Sequence, residues 1–96
     1  MYDDCLPQLP LKLRILLADD HEVLLDSLTD SINFSEFLEV VCTAKNGLEV
    51  LEKLAIYDVD VLVCDMQMPQ MDGIATVLQV GQLYEGLIIL LISMLE

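Results

Sequence analysis

Short, largely apolar runs alternate along this chain with stretches of helical period, and that alternation restricts the fold more than any other feature. The runs cover residues 13–18, 38–43, 59–64 and 87–93. A strand with no polar face must be covered on both sides. The arrangement that does this is a parallel sheet between two layers of helix. Right-handed crossovers then leave few topologies. Between the first two runs, Leu24, Leu25, Leu28 and Ile32 recur on one helical face, with Asp26, Thr29 and Asp30 opposite. Asn46-Gly47 opens a second stretch, in which Leu48, Leu51, Leu54 and Ala55 keep the helical spacing. The same dipeptide also suits a hairpin turn, and the period after it favours the helix. Residues 67–73 read as a loop broken by Pro69 and Gly73, and a weaker helix follows over 74–83. Residues 1–12 form a lead-in in which Pro7 and Pro10 oppose helix and central strand, so the domain is expected over 13–96.

With 96 residues, of which 55% are hydrophobic, the chain can build one core. Four Lys and Arg against 17 Asp and Glu give a formal net charge of -13. Such a surface opposes nucleic acid, whose phosphates need Lys and Arg, and suits a metal cation or a basic partner. A solvated acidic surface accounts equally well for most of these carboxylates. Cys5, Cys42 and Cys64 form neither a CxxC nor a ligand cluster, and read as reduced thiols, the last two buried. Asp3 and Asp4 stand where a signal peptide would be basic, and the apolar run at 87–92 is too short for a bilayer. A cytoplasmic chain without membrane contact is expected.

In open parallel sheets, function gathers at the carboxyl ends of the strands, near the point where strand order reverses. Here those ends carry Asp19 and Asp20 after the first run, Asp65 after the third and Ser93 after the fourth. If the first and third strands are neighbours, three carboxylates converge and repel unless a cation sits among them. Mg²⁺, a hard ion that prefers oxygen ligands, fits that set. A carboxylate can also attack a phosphoryl group and form an aspartyl phosphate, and a hydroxyl at Ser93 would hydrogen-bond the transferred oxygens. Taken alone, Asp19-Asp20 reads as a turn or helix-capping pair, and Asp65 as a turn residue. Asp72 is expected to cap the helix that begins near Gly73, and His21 to start the first helix. Met66, Met68 and Met71 are read as packing residues.

The segments Ile15-Leu16-Leu17-Ala18-Asp19-Asp20-His21 and Val61-Leu62-Val63-Cys64-Asp65-Met66-Gln67-Met68-Pro69-Gln70-Met71-Asp72-Gly73 resemble the two most recognisable stretches of response-regulator receiver domains. The likeness covers residue 13 to the end, and the Asp-Asp-His start is similar to receivers joined to helix-turn-helix DNA-binding outputs. The resemblance implies a flavodoxin-like (CheY-like) three-layer α/β sandwich with strand order 2-1-3-4-5. It implies a phosphoacceptor Asp65 that receives a phosphoryl group from a sensor histidine kinase. It implies Mg²⁺ held by Asp19, Asp20, Asp65 and the backbone carbonyl of Gln67, with Ser93 as the switch hydroxyl. No enzymatic activity beyond self-phosphorylation and self-dephosphorylation at Asp65 is implied.

The family also has a fifth strand ending in a Lys that contacts the phosphoryl group, with helices on either side of that strand. The sequence stops at Glu96, and its basic residues are Lys12, Arg14, Lys45 and Lys53. It therefore reads as a C-terminally shortened receiver, lacking the fifth strand and last helices. The alternative reading is a receiver remnant that binds other proteins, or acts as a decoy, without switching. With no fifth strand, residues 87–92 become an apolar edge, expected to self-associate, to bind a complementing segment or to leave the chain partly unfolded.

Overall fold

A computed structural model of the chain describes residues 12–68 and 72–93. The lead-in apart from Lys12, with Cys5, Pro7 and Pro10, lies outside the described residues, as do Pro69, Gln70 and Met71 of the loop. The order is β1 (Leu13–Ala18), α1 (Glu22–Asn33), β2 (Leu38–Ala44), α2 (Gly47–Ile56), β3 (Val61–Asp65), α3 (Gly73–Leu83) and β4 (Ile88–Ile92). All pairings are parallel, and the strands lie in the order β2-β1-β3-β4. This is the α/β sandwich that the apolar runs required, with the strand order expected for its first four strands.

Side chains that alternate along a strand feed two separate cores, one on each face of the sheet. Leu16, Ala18, Leu62 and Cys64 point to the face covered by α2 and α3, where they pack with Val50, Leu54 and Val80. Ile15, Leu17 and Val61 point to the other face, where Leu25 of α1 closes over them and Leu28 and Ile32 pack at the rim. Leu24 is half-buried. In α2 the buried positions are Gly47, Val50 and Leu54, with Leu51 half-buried beside them. Leu48 and Ala55, expected on this face, are exposed. The buried positions follow the three-and-four spacing of Gly47, Val50 and Leu54. Cys64 is buried as expected, whereas Cys42, on the outer strand β2, is only half-buried.

Two helices start on side-chain caps, of which the sequence announces the second. Asn46 Oδ1 accepts the Glu49 N–H at 2.9 Å, and Glu49 Oε1 in turn accepts the Lys45 N–H at 2.9 Å. This reciprocal pair is a capping box displaced by one residue. Asp72 Oδ1 accepts the Ala75 N–H at 2.8 Å, the capping role expected of it. Val59 remains outside β3 but packs against the core. Among the described residues, the cluster around Leu25 covers β3 on the α1 side of the sheet but does not extend to β4. Ile88 and Leu90 are 54% and 51% exposed.

Candidate functional site

The first and third strands are neighbours, with Ala18 level with Cys64, so both run out of the sheet together. Asp19 directly follows β1 and Asp65 is the last residue of β3, and both are buried, 2% and 3% exposed. Asp20, the next residue, is exposed, and His21 begins the turn into α1. One ligand atom from each of Asp19, Asp20, His21 and Asp65 lies within 4.8 Å of the others. The three carboxylates thus converge as their positions implied.

His21 was expected only to start a helix, and its side chain does more than that. It makes no capping bond. Its Nδ1 lies 2.9 Å from Asp19 Oδ1 and 3.1 Å from Asp20 Oδ1, and its backbone N–H donates to the same Asp19 oxygen at 2.9 Å. An imidazole two residues after a buried acid can turn back on it, because the extended backbone at His21 points the ring toward the strand end. The only signal in the sequence was the adjacency of Asp19, Asp20 and His21.

Asp65 is held from two sides. Its Oδ1 accepts the Gln67 N–H at 3.2 Å, which keeps the backbone of Gln67 at the cluster. Its carbonyl faces the first residue of α3, where a Cβ added to Gly73 would stand 2.0 Å from the Asp65 oxygen and 2.6 Å from the Met66 Cα. Only glycine fits there. The Gly73 N–H closes the loop by donating to the Met66 carbonyl at 2.9 Å. Met68 tucks into the core, as expected of a packing residue, and Met66 is half-buried. Ser93 follows Ile92, whose register partner in β3 is Asp65, and it is exposed.

Burial raises the Asp65 carboxyl above the ordinary carboxylate range. The negative charges of Asp19 and Asp20 push in the same direction, and the Gln67 N–H opposes them. Burial likewise pushes the Cys64 thiol up to about 11, with help from Asp65. Asp19 Oδ2 is fully buried and has no hydrogen-bond partner among the described residues. A buried carboxylate oxygen without a donor is costly to maintain unless a cation meets it. The donors are hard oxygens with one imidazole, so the arrangement suits a small divalent cation such as Mg²⁺.

Residues 15–96 match the response regulator receiver domain family. Among curated proteins, the chain is 31% identical over 84 residues to the protein-glutamate methylesterase/protein-glutamine glutaminase of Bacillus subtilis (strain 168), covering 88% of this chain and 24% of that protein. It is 31% identical over 85 residues to the oxygen regulatory protein NreC of Staphylococcus epidermidis, covering 88% and 39%. Among solved structures, the response regulator domain of Thermotoga maritima CheB superposes with a TM-score of 0.80 at 29% identity, over 85% of this chain and 60% of that one. The RcsB response regulator of Salmonella typhimurium superposes with a TM-score of 0.81 at 25% identity, over 88% and 44%. The chain therefore spans about a quarter to two fifths of the length of these curated relatives.

Proposed function

Because this chain belongs to the response regulator receiver domain family, we propose that it accepts a phosphoryl group on Asp65 from the phosphohistidine of a sensor histidine kinase. The observation that carries the proposal is the convergence of Asp19, Asp20 and Asp65 at the ends of two adjacent strands, with Asp65 anchored by Gln67 and Gly73. An Asp65 carboxylate oxygen forms the new bond to phosphorus. The bond from phosphorus to the donor imidazole nitrogen breaks, and the electron pair stays on that nitrogen, which takes a proton. Asp19, Asp20, Asp65 and the backbone carbonyl of Gln67 would hold Mg²⁺. When bound, the ion offsets the charge of the transferred phosphoryl oxygens. His21 stands against the same two acids and holds Asp19 oriented when no ion is bound. Ser93, just past Ile92, is assigned the hydroxyl that meets a phosphoryl oxygen. The receiver portion is assigned to residues 13–96, with 1–12 as a lead-in, and its place to the cytoplasm. No helix among the described residues is long and apolar enough to cross a membrane.

The test is direct. The folded chain is treated with acetyl phosphate and Mg²⁺, and intact mass is measured. One added phosphoryl group, absent in Asp65→Asn and absent without Mg²⁺, is the expected result. A second reading is a module that docks on a kinase or another receiver without switching. No mass increase, together with retained binding to a kinase, would favour it.

A further inference from the structure

His21 is the single histidine of the 96 residues, and its ring stands among the acids at the strand ends. Nδ1 lies 2.9 Å from Asp19 Oδ1 and 3.1 Å from Asp20 Oδ1. These are the separations of neighbouring donors around one ion. In octahedral geometry with bonds of about 2.1 Å, adjacent ligand atoms stand about 3 Å apart. A second observation points to an ion at the same place. Asp19 is 2% exposed, and its Oδ2 is buried with no hydrogen-bond partner among the described residues. The His21 ring and its backbone N–H both meet the other oxygen, Oδ1, so neither relieves Oδ2.

The position of His21 also argues for a role at the acids. It occupies the N-cap of α1 and makes no side-chain capping bond there. Ser, Thr, Asp or Asn would stabilise the helix start better. A residue that breaks a local rule in this way marks a functional constraint. The donor atoms then decide the kind of ion. Carboxylate and carbonyl oxygens suit Mg²⁺ and Mn²⁺ alike, whereas an imidazole nitrogen adds affinity for first-row transition ions and little for Mg²⁺. A neutral ring with its proton on Nε2 offers the Nδ1 lone pair. Mn²⁺ is the ion that uses the whole set, oxygens and nitrogen together.

We propose that His21 is a nitrogen ligand of this site and gives it a preference for Mn²⁺ over Mg²⁺. The proposal rests on the reading of Asp19, Asp20 and Asp65 as an ion site, and it adds the residue that sets which ion enters.

Mn²⁺ is the probe, added to the full chain without a histidine tag. Pulsed electron paramagnetic resonance of the bound ion is expected to show coupling to an imidazole nitrogen. Isotopic labelling of the histidine nitrogens should alter that coupling, which assigns it to His21 because the sequence has no other histidine. His21→Gln should remove it with the far-ultraviolet circular dichroism retained, since the side chain is 51% exposed. In competition titrations the same variant should lower the ratio of Mn²⁺ to Mg²⁺ affinity about tenfold. Equal weakening of both ions, without nitrogen coupling in the parent, would mean that the ring only orients Asp19 and would overturn the proposal. Mn²⁺ that binds, is lost in Asp20→Asn and shows no imidazole coupling would overturn the role of His21 and leave the acid site standing. No Mn²⁺ binding, or binding that survives Asp20→Asn, would overturn both.

Discussion

Gly73 shows how a single residue positions Asp65. Its missing side chain lets the start of α3 press on the Asp65 carbonyl, where any Cβ would overlap backbone. Gly73→Ala is therefore expected to destabilise the fold by about 1–3 kcal/mol, through forced backbone movement. Gly81 sits in the same helix with nothing within 4 Å of an added Cβ. Gly81→Ala should stabilise by roughly 0.5–1 kcal/mol, from helix propensity alone. Urea unfolding of both variants checks the contrast, and two losses of similar size would deny Gly73 its special place. At Asp65 the sign of the pH effect follows from burial. Its folded pKa is raised, so the native state holds the proton more tightly than the unfolded chain does. The stability this supplies is present below the ordinary value of 3.8 and is lost as pH rises through the raised value. Asp65→Asn, which keeps the acceptor oxygen for the Gln67 N–H, should therefore raise the unfolding midpoint of the metal-free chain at neutral pH, with no gain in acid. An Asn variant less stable than the parent at neutral pH would mean that the carboxylate is not strained by its neighbours. Asp19, Asp20 and Asp65 were legible because each follows an apolar run. The part of His21 was not, because the turn that brings its ring back to Asp19 Oδ1 depends on backbone angles that no residue pattern encodes.

At the scale of elements, the apolar runs marked the strands, and Asp72 marked the start of α3. Asp72 reads as a cap from the sequence because an Asp before a glycine-led helix has few other uses. The face of α2 read less well. Leucines at 48, 51 and 54 suggested one stripe, and the helix instead buries Val50 and Leu54 and exposes Leu48. Among several apolar residues on one short helix, the choice belongs to the sheet beneath, which spacing alone does not carry. The two caps offer a comparison. Asn46→Ala and Asp72→Ala should each cost about 0.5–2 kcal/mol. Only Asp72→Ala is expected to weaken the response to Mg²⁺ as well, because α3 rests on the Asp65 carbonyl whereas the capped end of α2 lies outside the cluster. Calorimetric titration of both variants with Mg²⁺ distinguishes them, and matched affinities would show that the α3 start can shift without moving the cluster.

For the molecule as a whole, the governing quantity is charge. With a formal net charge of -13, the folded chain repels itself more than the expanded one, so screening should help it fold. The exposed Glu22–Lys45 ion pair works the other way, since salt weakens it, and such surface pairs are too weak to reverse the balance. Sodium chloride is thus expected to raise the unfolding midpoint smoothly, with most of the gain complete by about 0.1 M, where the Debye length is near 10 Å. Mg²⁺ adds something that screening cannot. Asp19 Oδ2 is buried beyond the reach of a diffuse ion atmosphere and has no donor among the described residues, so the proposed ion among Asp19, Asp20 and Asp65 would relieve it. At matched ionic strength, magnesium chloride should therefore stabilise the chain beyond sodium chloride. The excess should grow with the logarithm of concentration above the binding constant, as site binding to the native state requires. Asp20→Asn tests the site without disturbing the core, because Asp20 is exposed. Its unfolding midpoints in the two salts should fall together. A variant that keeps the excess would place the ion elsewhere on the acidic surface, and a parent chain without any excess would leave Asp19 Oδ2 as strain that the fold simply bears.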